Sequence, residues 1–190
     1  MEGFESIYLV TNSLINLLKK NFIPDFIQDE EKIRAVNLDN YASSNIGIYL
    51  YHMEENMDYK NYRLRRSTKN KAIYPDMHLN LYYLFIIKSQ GDDKFKVLDE
   101  QKLMGKLIQT FYDNPVLKAK DLGDDFDDDL QIKIHMENLT FDELSKIFSV
   151  PSKPYELCIA YKLSGIPIKS GKTREVSYVT KKDINISQKY

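Results

Sequence analysis

The stretch His78–Lys88, HLNLYYLFIIK, decides the fold. Its centre, Leu81–Ile87, is an unbroken run of leucine, tyrosine, phenylalanine and isoleucine. Aromatic and β-branched residues fit a pleated surface, and a run that is apolar at every position is buried on both faces. Such a strand lies inside a sheet covered on two sides, by helices or by another subunit. The run falls far short of the ~20 residues a membrane-crossing helix needs, so no span is expected. Asn45–Glu54, NIGIYLYHME, has the same character and supplies a second strand.

The material to cover this sheet lies on either side of it. From Phe4 to Phe22, residues Ile7, Val10, Leu14, Leu17 and Leu18 recur every three or four positions, the spacing of one helix face, and Pro24 closes the segment. Docking onto the chain's own sheet is the expected fate of that stripe, with a partner-facing stripe as the alternative. A second helix carries Leu103, Met104, Leu107, Ile108 and Phe111, with Asp99 as its expected cap. Gly105 lies inside it, where glycine costs about 1 kcal/mol relative to alanine, so a close neighbour is expected there. The helix halts in Gln109–Leu117, QTFYDNPVL. Pro115 cannot continue a helix and pushes Asn114 out of the helical region, while Asp113 and Asn114 can satisfy free backbone groups in the turn.

Further on, Leu130–Asn138, LQIKIHMEN, alternates apolar and polar residues as a half-exposed strand does. Thr140 and Glu143 form a capping box, flanked by Leu139 and Leu144 at the spacing of a hydrophobic staple, and announce a short helix to Phe148. Tyr155–Gly165, YELCIAYKLSG, is a fourth strand. Beyond it the chain is basic and extended, without helical period. These elements predict an α/β domain of the α+β kind over residues 1–168. It has a mixed or antiparallel central sheet of about four to five strands, two main helices and one short helix. Residues 169–190 form an extended arm.

Composition bounds the function. A chain of 190 residues with 43% hydrophobic and 29% charged residues is ordinary globular material for one domain. Its net charge of -1 speaks against a dedicated nucleic-acid binder, which carries a basic excess. One cysteine, Cys158, allows no internal disulfide and sits in an apolar strand, so a buried structural thiol is expected. Glu2 and Glu5 stand where a secretory leader would carry basic residues, so cytoplasmic synthesis without a leader is expected.

Motifs with chemistry fail on inspection. Ser170–Thr173, SGKT, ends like a phosphate loop, but the required earlier glycine falls on Ile166, and a strand-like segment follows instead of a helix. Asp125, Asp127 and Asp129 have calcium-loop spacing, yet Leu130 and Met136 stand where glycine and glutamate are needed. His52, His78 and His135 all fall in strands without metal-ligand spacing. His52 beside Glu54 or Glu55 is the one acid–base pairing available, and a packed strand histidine is the expected reading. No catalytic residue, cofactor or metal is expected. Two charged stretches remain: the basic Asp58–Lys71 (DYKNYRLRRSTKNK), read as a loop, and the acidic Asp121–Asp129 (DLGDDFDDD).

Taken in order, Ser6–Leu18, Ile46–Asn56, Leu79–Leu84, Asp99–Leu117, Leu130–Phe148 and Pro154–Ile168 form a set that is specific where each block alone is weak. As a set the chain resembles the tail-terminator, or cap, proteins of phage-tail-like extracellular contractile injection systems. The resemblance implies a structural role without enzymatic activity. It implies a homohexameric ring on the tail end that contacts the inner tube and the sheath and stops their polymerisation, assembled in the cytoplasm and carried by a particle that can be released. Self, tube and sheath are then the partners, with neither nucleic acid nor membrane insertion.

Candidate assembly contacts follow from the residues. The basic side chains Arg63, Arg65 and Arg66 are set to meet an acidic patch such as Asp127 and Asp128 of the next protomer. Phe111, Tyr112, Asp113, Asn114 and Pro115 shape a helix exit on which a contact can be built. The arm offers Val176, Tyr178, Ile184 and Ile186 for strand addition to a neighbouring sheet edge. An adaptor role elsewhere in such a particle is the alternative, and an enzyme would need a convergent polar pocket.

Overall fold

The structure, a computed structural model, describes residues 3–60, 65–68, 71–91, 94–122, 126–149 and 155–175. Its centre is β5 (Met77–Ile87), the strand expected from HLNLYYLFIIK. β2 (Ile46–Glu55) pairs antiparallel on one side of it and β8 (Cys158–Ile168) antiparallel on the other. β7 (Gln131–Glu137) pairs antiparallel with β8. Two short strands complete the margins: β1 (Ile33–Ala35), parallel to β2, and β6 (Val116–Lys118), antiparallel to β7. The order is β1-β2-β5-β8-β7-β6, six strands where about four to five were expected. The two additional strands are three residues long, too short for alternation to register.

One face of this sheet carries the main core. α1 (Ser6–Phe22), α2 (Lys96–Asp113) and the single turn α3 (Ala119–Leu122) lie on it. Val10, Leu14, Leu18 and Phe22 from α1 and Leu103, Leu107 and Phe111 from α2 meet Leu81, Tyr83, Phe85 and Ile87 of β5. The opposite face is covered only in part. α4 (Phe141–Ser149) and the segment Val36–Tyr41 place Phe148, Val36, Leu38 and Tyr41 over Leu84, Ile86 and Ala160. β2 leaves this cover in its second half, so only its first half is apolar and buried on both faces as expected.

Local signals hold closely. Thr140 and Glu143 form the reciprocal capping box: the Thr140 N–H donates to Glu143 Oε2 at 2.8 Å, and the Glu143 N–H donates to Thr140 Oγ1 at 3.3 Å. At the exit of α2 the Asn114 N–H and its side-chain Nδ2 both donate to the Thr110 carbonyl, at 3.1 and 2.9 Å. The Pro115 carbonyl then accepts from the Ile134 N–H at 2.8 Å, which carries the chain directly into β6. The stop signal therefore ends a helix and starts an edge strand.

Three expectations are corrected. α2 starts at Lys96, three residues before the expected cap, and Asp99 lies in its first turn, where a carboxylate complements the helix dipole. The stretch Asp58–Lys71 is not simply a loop: β3 (Arg65–Thr68) and β4 (Lys71–Ile73) form a small sheet with β9 (Thr173–Glu175). Gly105 has no close neighbour, since a Cβ built there meets nothing within 4 Å. Its glycine penalty is therefore uncompensated. Gly105→Ala is expected to stabilise the protein by about 0.5–1 kcal/mol, read as a higher urea midpoint; a lower midpoint would mean that the position needs glycine after all.

Candidate assembly surface

The residues of the α2 exit divide between inside and outside. Phe111 is buried at 2% exposure, with its ring 4.6 Å from Tyr161 and 5.0 Å from Phe85. It is a core residue and leaves the set of surface contacts, because the helical period turns position 111 toward the sheet. Tyr112, next in sequence, is 83% exposed. Asp113, Asn114 and Pro115 line a groove of ≈ 610 Å³ closed on its other sides by Asn16, Leu17 and Lys20 of α1 and by Lys118 and Asp121.

The charged candidates lie elsewhere. Asp127 and Asp128 are exposed on the loop before β7, and the Asp127 carboxylate already has a partner in its own chain, Lys169 Nζ at 3.4 Å. A hollow of ≈ 400 Å³ beside it is lined by Asp76, Asp129, Lys133 and the stacked rings of Tyr59 and His78, whose centroids are 5.1 Å apart. Arg65 and Arg66 are in β3, opposite Ile73 and Ala72. Arg63, Val176, Tyr178, Ile184 and Ile186 lie outside the described residues. In the part of the expected arm that is described, Thr173–Glu175 pairs with β4 of its own chain. SGKT is the connection between β8 and β9 and opens no helix.

The sheet contributes a surface that the sequence reading did not single out. Where α4 stops covering it, β2, β5 and β8 present Glu54, Asn80, Tyr82 and Lys162 side by side. The Tyr82 hydroxyl donates to Glu54 Oε1 at 2.6 Å and the Asn80 amide donates to the same oxygen at 3.1 Å. Lys162 Nζ stands 3.8 Å from that oxygen and 5.3 Å from the centre of the Tyr82 ring. Behind them the Asn56 amide donates to Asn80 Oδ1 at 2.8 Å, with both asparagines buried. His52 lies against Tyr82 at 5.2 Å between centroids, and Tyr51 at 6.1 Å.

Each charge in this cluster is held in one state. Hydrogen bonds from Tyr82 and then Asn80 keep the Glu54 carboxyl below the usual carboxylate range. Burial, then the Glu54 hydrogen bond, pushes the Tyr82 phenol up, and the Tyr82 hydroxyl raises the Lys162 ammonium. Glu54 thus stays ionised while Tyr82 and Lys162 stay protonated around neutrality. Its hydrogen bonds run to Tyr82 and Asn80, so this is a locked polar platform instead of an acid–base pair. Burial likewise pushes the Cys158 thiol up to about 12, which makes it a poor nucleophile. The signal for this platform was Asn80, a polar residue inside an otherwise apolar strand; strand order alone gave it neighbours.

Among the described residues no helix is long and apolar enough to cross a membrane, and no group of three His, Cys, Asp or Glu side chains is placed to hold a metal ion. No curated protein matches the chain in sequence. Among the solved structures that share its fold are two terminators. One is the sheath/tube terminator of the PVC extracellular contractile injection system in its extended state, with 14% identity and a TM-score of 0.64 over 97% of this chain. The other is the tube-terminating cap of the anti-feeding prophage, with 15% identity and a TM-score of 0.63 over 93% of this chain. The chain spans 64% and 60% of the length of those two. The Pvc16 N-terminal domain profile matches residues 9–181, nearly the whole chain, and the protein belongs to that family.

Proposed function

We propose that this chain is a structural terminator of a contractile injection particle. In this reading it closes into a homohexameric ring on the tail end, contacts the last layer of inner tube and sheath, and prevents further addition of either. It assembles in the cytoplasm and stays with the particle after release. The observation that carries the reading is the shared fold over 97% of the chain with a sheath/tube terminator, in a chain of the Pvc16 N-terminal domain family. The surface agrees with it: the exposed Tyr112 at the end of α2, the groove lined by Asp113, Asn114 and Pro115, and the locked polar platform offer surfaces for contact, and no catalytic step is assigned to them.

Particles made with a labelled chain are expected to carry label at the membrane-distal end, and particles made without it to have tails of uneven length. Label at the baseplate or along the sheath lattice would assign the adaptor role instead. The arm is tested in the same particles by ending the chain after Glu175, which leaves β9 on its own β4. If Val176, Tyr178, Ile184 and Ile186 add a strand to a neighbour, capping should weaken while the domain stays folded. Normal capping by the shortened chain would remove the arm from the assembly.

A further inference from the structure

Both margins of the six-stranded sheet leave a length of strand unpaired. Among the described residues, β1 flanks β2 only along Ile46–Ile48, so β2 has a free edge from Tyr49 to Glu55. β6 flanks β7 only along Gln131–Lys133, and the Ile134 N–H is taken by the Pro115 carbonyl, so β7 is free from His135 to Glu137. Unpaired edges are templates for another strand, and this sheet has one at each side. Three successive antiparallel pairings separate β2 from β7, so the two strands run in opposite directions. If the sheet continued from one copy into the next, β7 would meet β2 antiparallel.

The side chains on these two edges match in one register. Set Met136 opposite Met53, and His135 falls opposite Glu54 while Glu137 falls opposite His52. The faces agree as well. Glu54 and His52 pair with Asn80 and Tyr82 on the partly uncovered face, and His135 and Glu137 pair with Lys162 and Ala160 on that same face. Met53 and Met136 pair with Leu81 and Tyr161 on the helix-covered face and are 49% and 45% exposed. Contact between copies would cover both. Sliding the pairing by two residues toward the end of β2 would instead set Glu137 against Glu54, carboxylate against carboxylate. The contacts of Glu54 with Tyr82, Asn80 and Lys162 all run through Oε1, which leaves Oε2 for a donor arriving from outside.

We infer that the free edge of β7 in one copy pairs antiparallel with the free edge of β2 in the next, with Met136 opposite Met53. The contact is heterologous, each copy giving one edge and receiving the other, and repeated copies close a ring if the rotation permits. The inference rests on the ring reading above and names the interface of that ring. Its test uses the full chain with Cys158→Ser, carrying Met53→Cys, Met136→Cys or both. Directly opposed antiparallel residues have Cα atoms close enough for a disulfide. Under mild oxidation the double variant is expected to give a ladder of covalent oligomers on a denaturing gel that reductant collapses, while each single variant gives no covalent oligomer. A ring of the unaltered chain by native mass spectrometry without any ladder in the double variant would overturn the interface and leave the ring reading standing. A ladder or dimer from Met53→Cys alone would also overturn it, as the contact would then be β2 on β2. An unaltered chain that stays monomeric on assembled tails would overturn both.

A charge exchange gives an independent readout. Glu137→Lys is expected to raise the concentration for half-assembly about tenfold, and adding His52→Glu in the same chain to restore it. Failure of the second change to rescue the first would count against the register.

Discussion

Phe111→Ala is expected to lower the unfolding free energy by about 3–5 kcal/mol. The side chain is buried at 2% exposure, and its ring centre lies 5.0 Å from Phe85 of β5 and 4.6 Å from Tyr161 of β8. Truncation removes an aromatic ring from the junction of α2 with β5 and β8, and a backbone fixed by two strands and a helix cannot collapse to fill the space. The adjacent Tyr112→Ala supplies the contrast. At 83% exposure its loss is expected to leave stability within about 0.5 kcal/mol and to be felt, if anywhere, in assembly. Urea unfolding of the two variants decides the matter. Similar small effects from both would mean that α2 does not dock through Phe111.

Asn80→Leu is expected to cost about 2–3 kcal/mol even though leucine has nearly the same size. Asn80 is 6% exposed and joins two groups: its amide donates to Glu54, and its oxygen accepts from the amide of Asn56, itself 7% exposed. Replacing it strands the Asn56 amide in a place that water reaches poorly, and a buried unpaired donor costs more than the bond it lost. The cost should therefore depend on Asn56. In a double-mutant cycle with Asn56→Ala the two changes should be non-additive by at least about 0.5 kcal/mol. Strict additivity would show that the two amides do not act as a unit.

These two positions illustrate what a linear reading can and cannot find. Phe111 was taken with the four residues after it as one exit motif, whereas the helix turns 100° per residue and separates 111 from 112 by burial. The helical period also puts Phe111 on the stripe of Leu103, Met104 and Leu107, and of the two readings the burial of position 111 agrees with the stripe. Asn80 is different. Nothing in HLNLYYLFIIK says that its neighbours are Glu54 and Ser164, because those pairings span 26 residues in one direction and cross to β8 in the other. The bulge in β2 between Leu50 and His52 also shifts which side chains share a face, and no local pattern announces it.

The sequence by itself determined the elements whose cause is local. The stripe of α1, the stop at Asn114–Pro115, the Thr140–Glu143 box and the buried character of β5 each arise from side chains and backbone a few residues apart, so a window of sequence contains the whole interaction. Tertiary structure alone decided the strand order, the parallel entry of β1, the pairing of β9 with β4, and the two edges, unpaired among the described residues, at which His52–Glu54 and His135–Glu137 stand. Strand pairing joins residues far apart in the chain, and its register follows from how the whole sheet fits beneath α1 and α2, which no window of neighbouring residues contains.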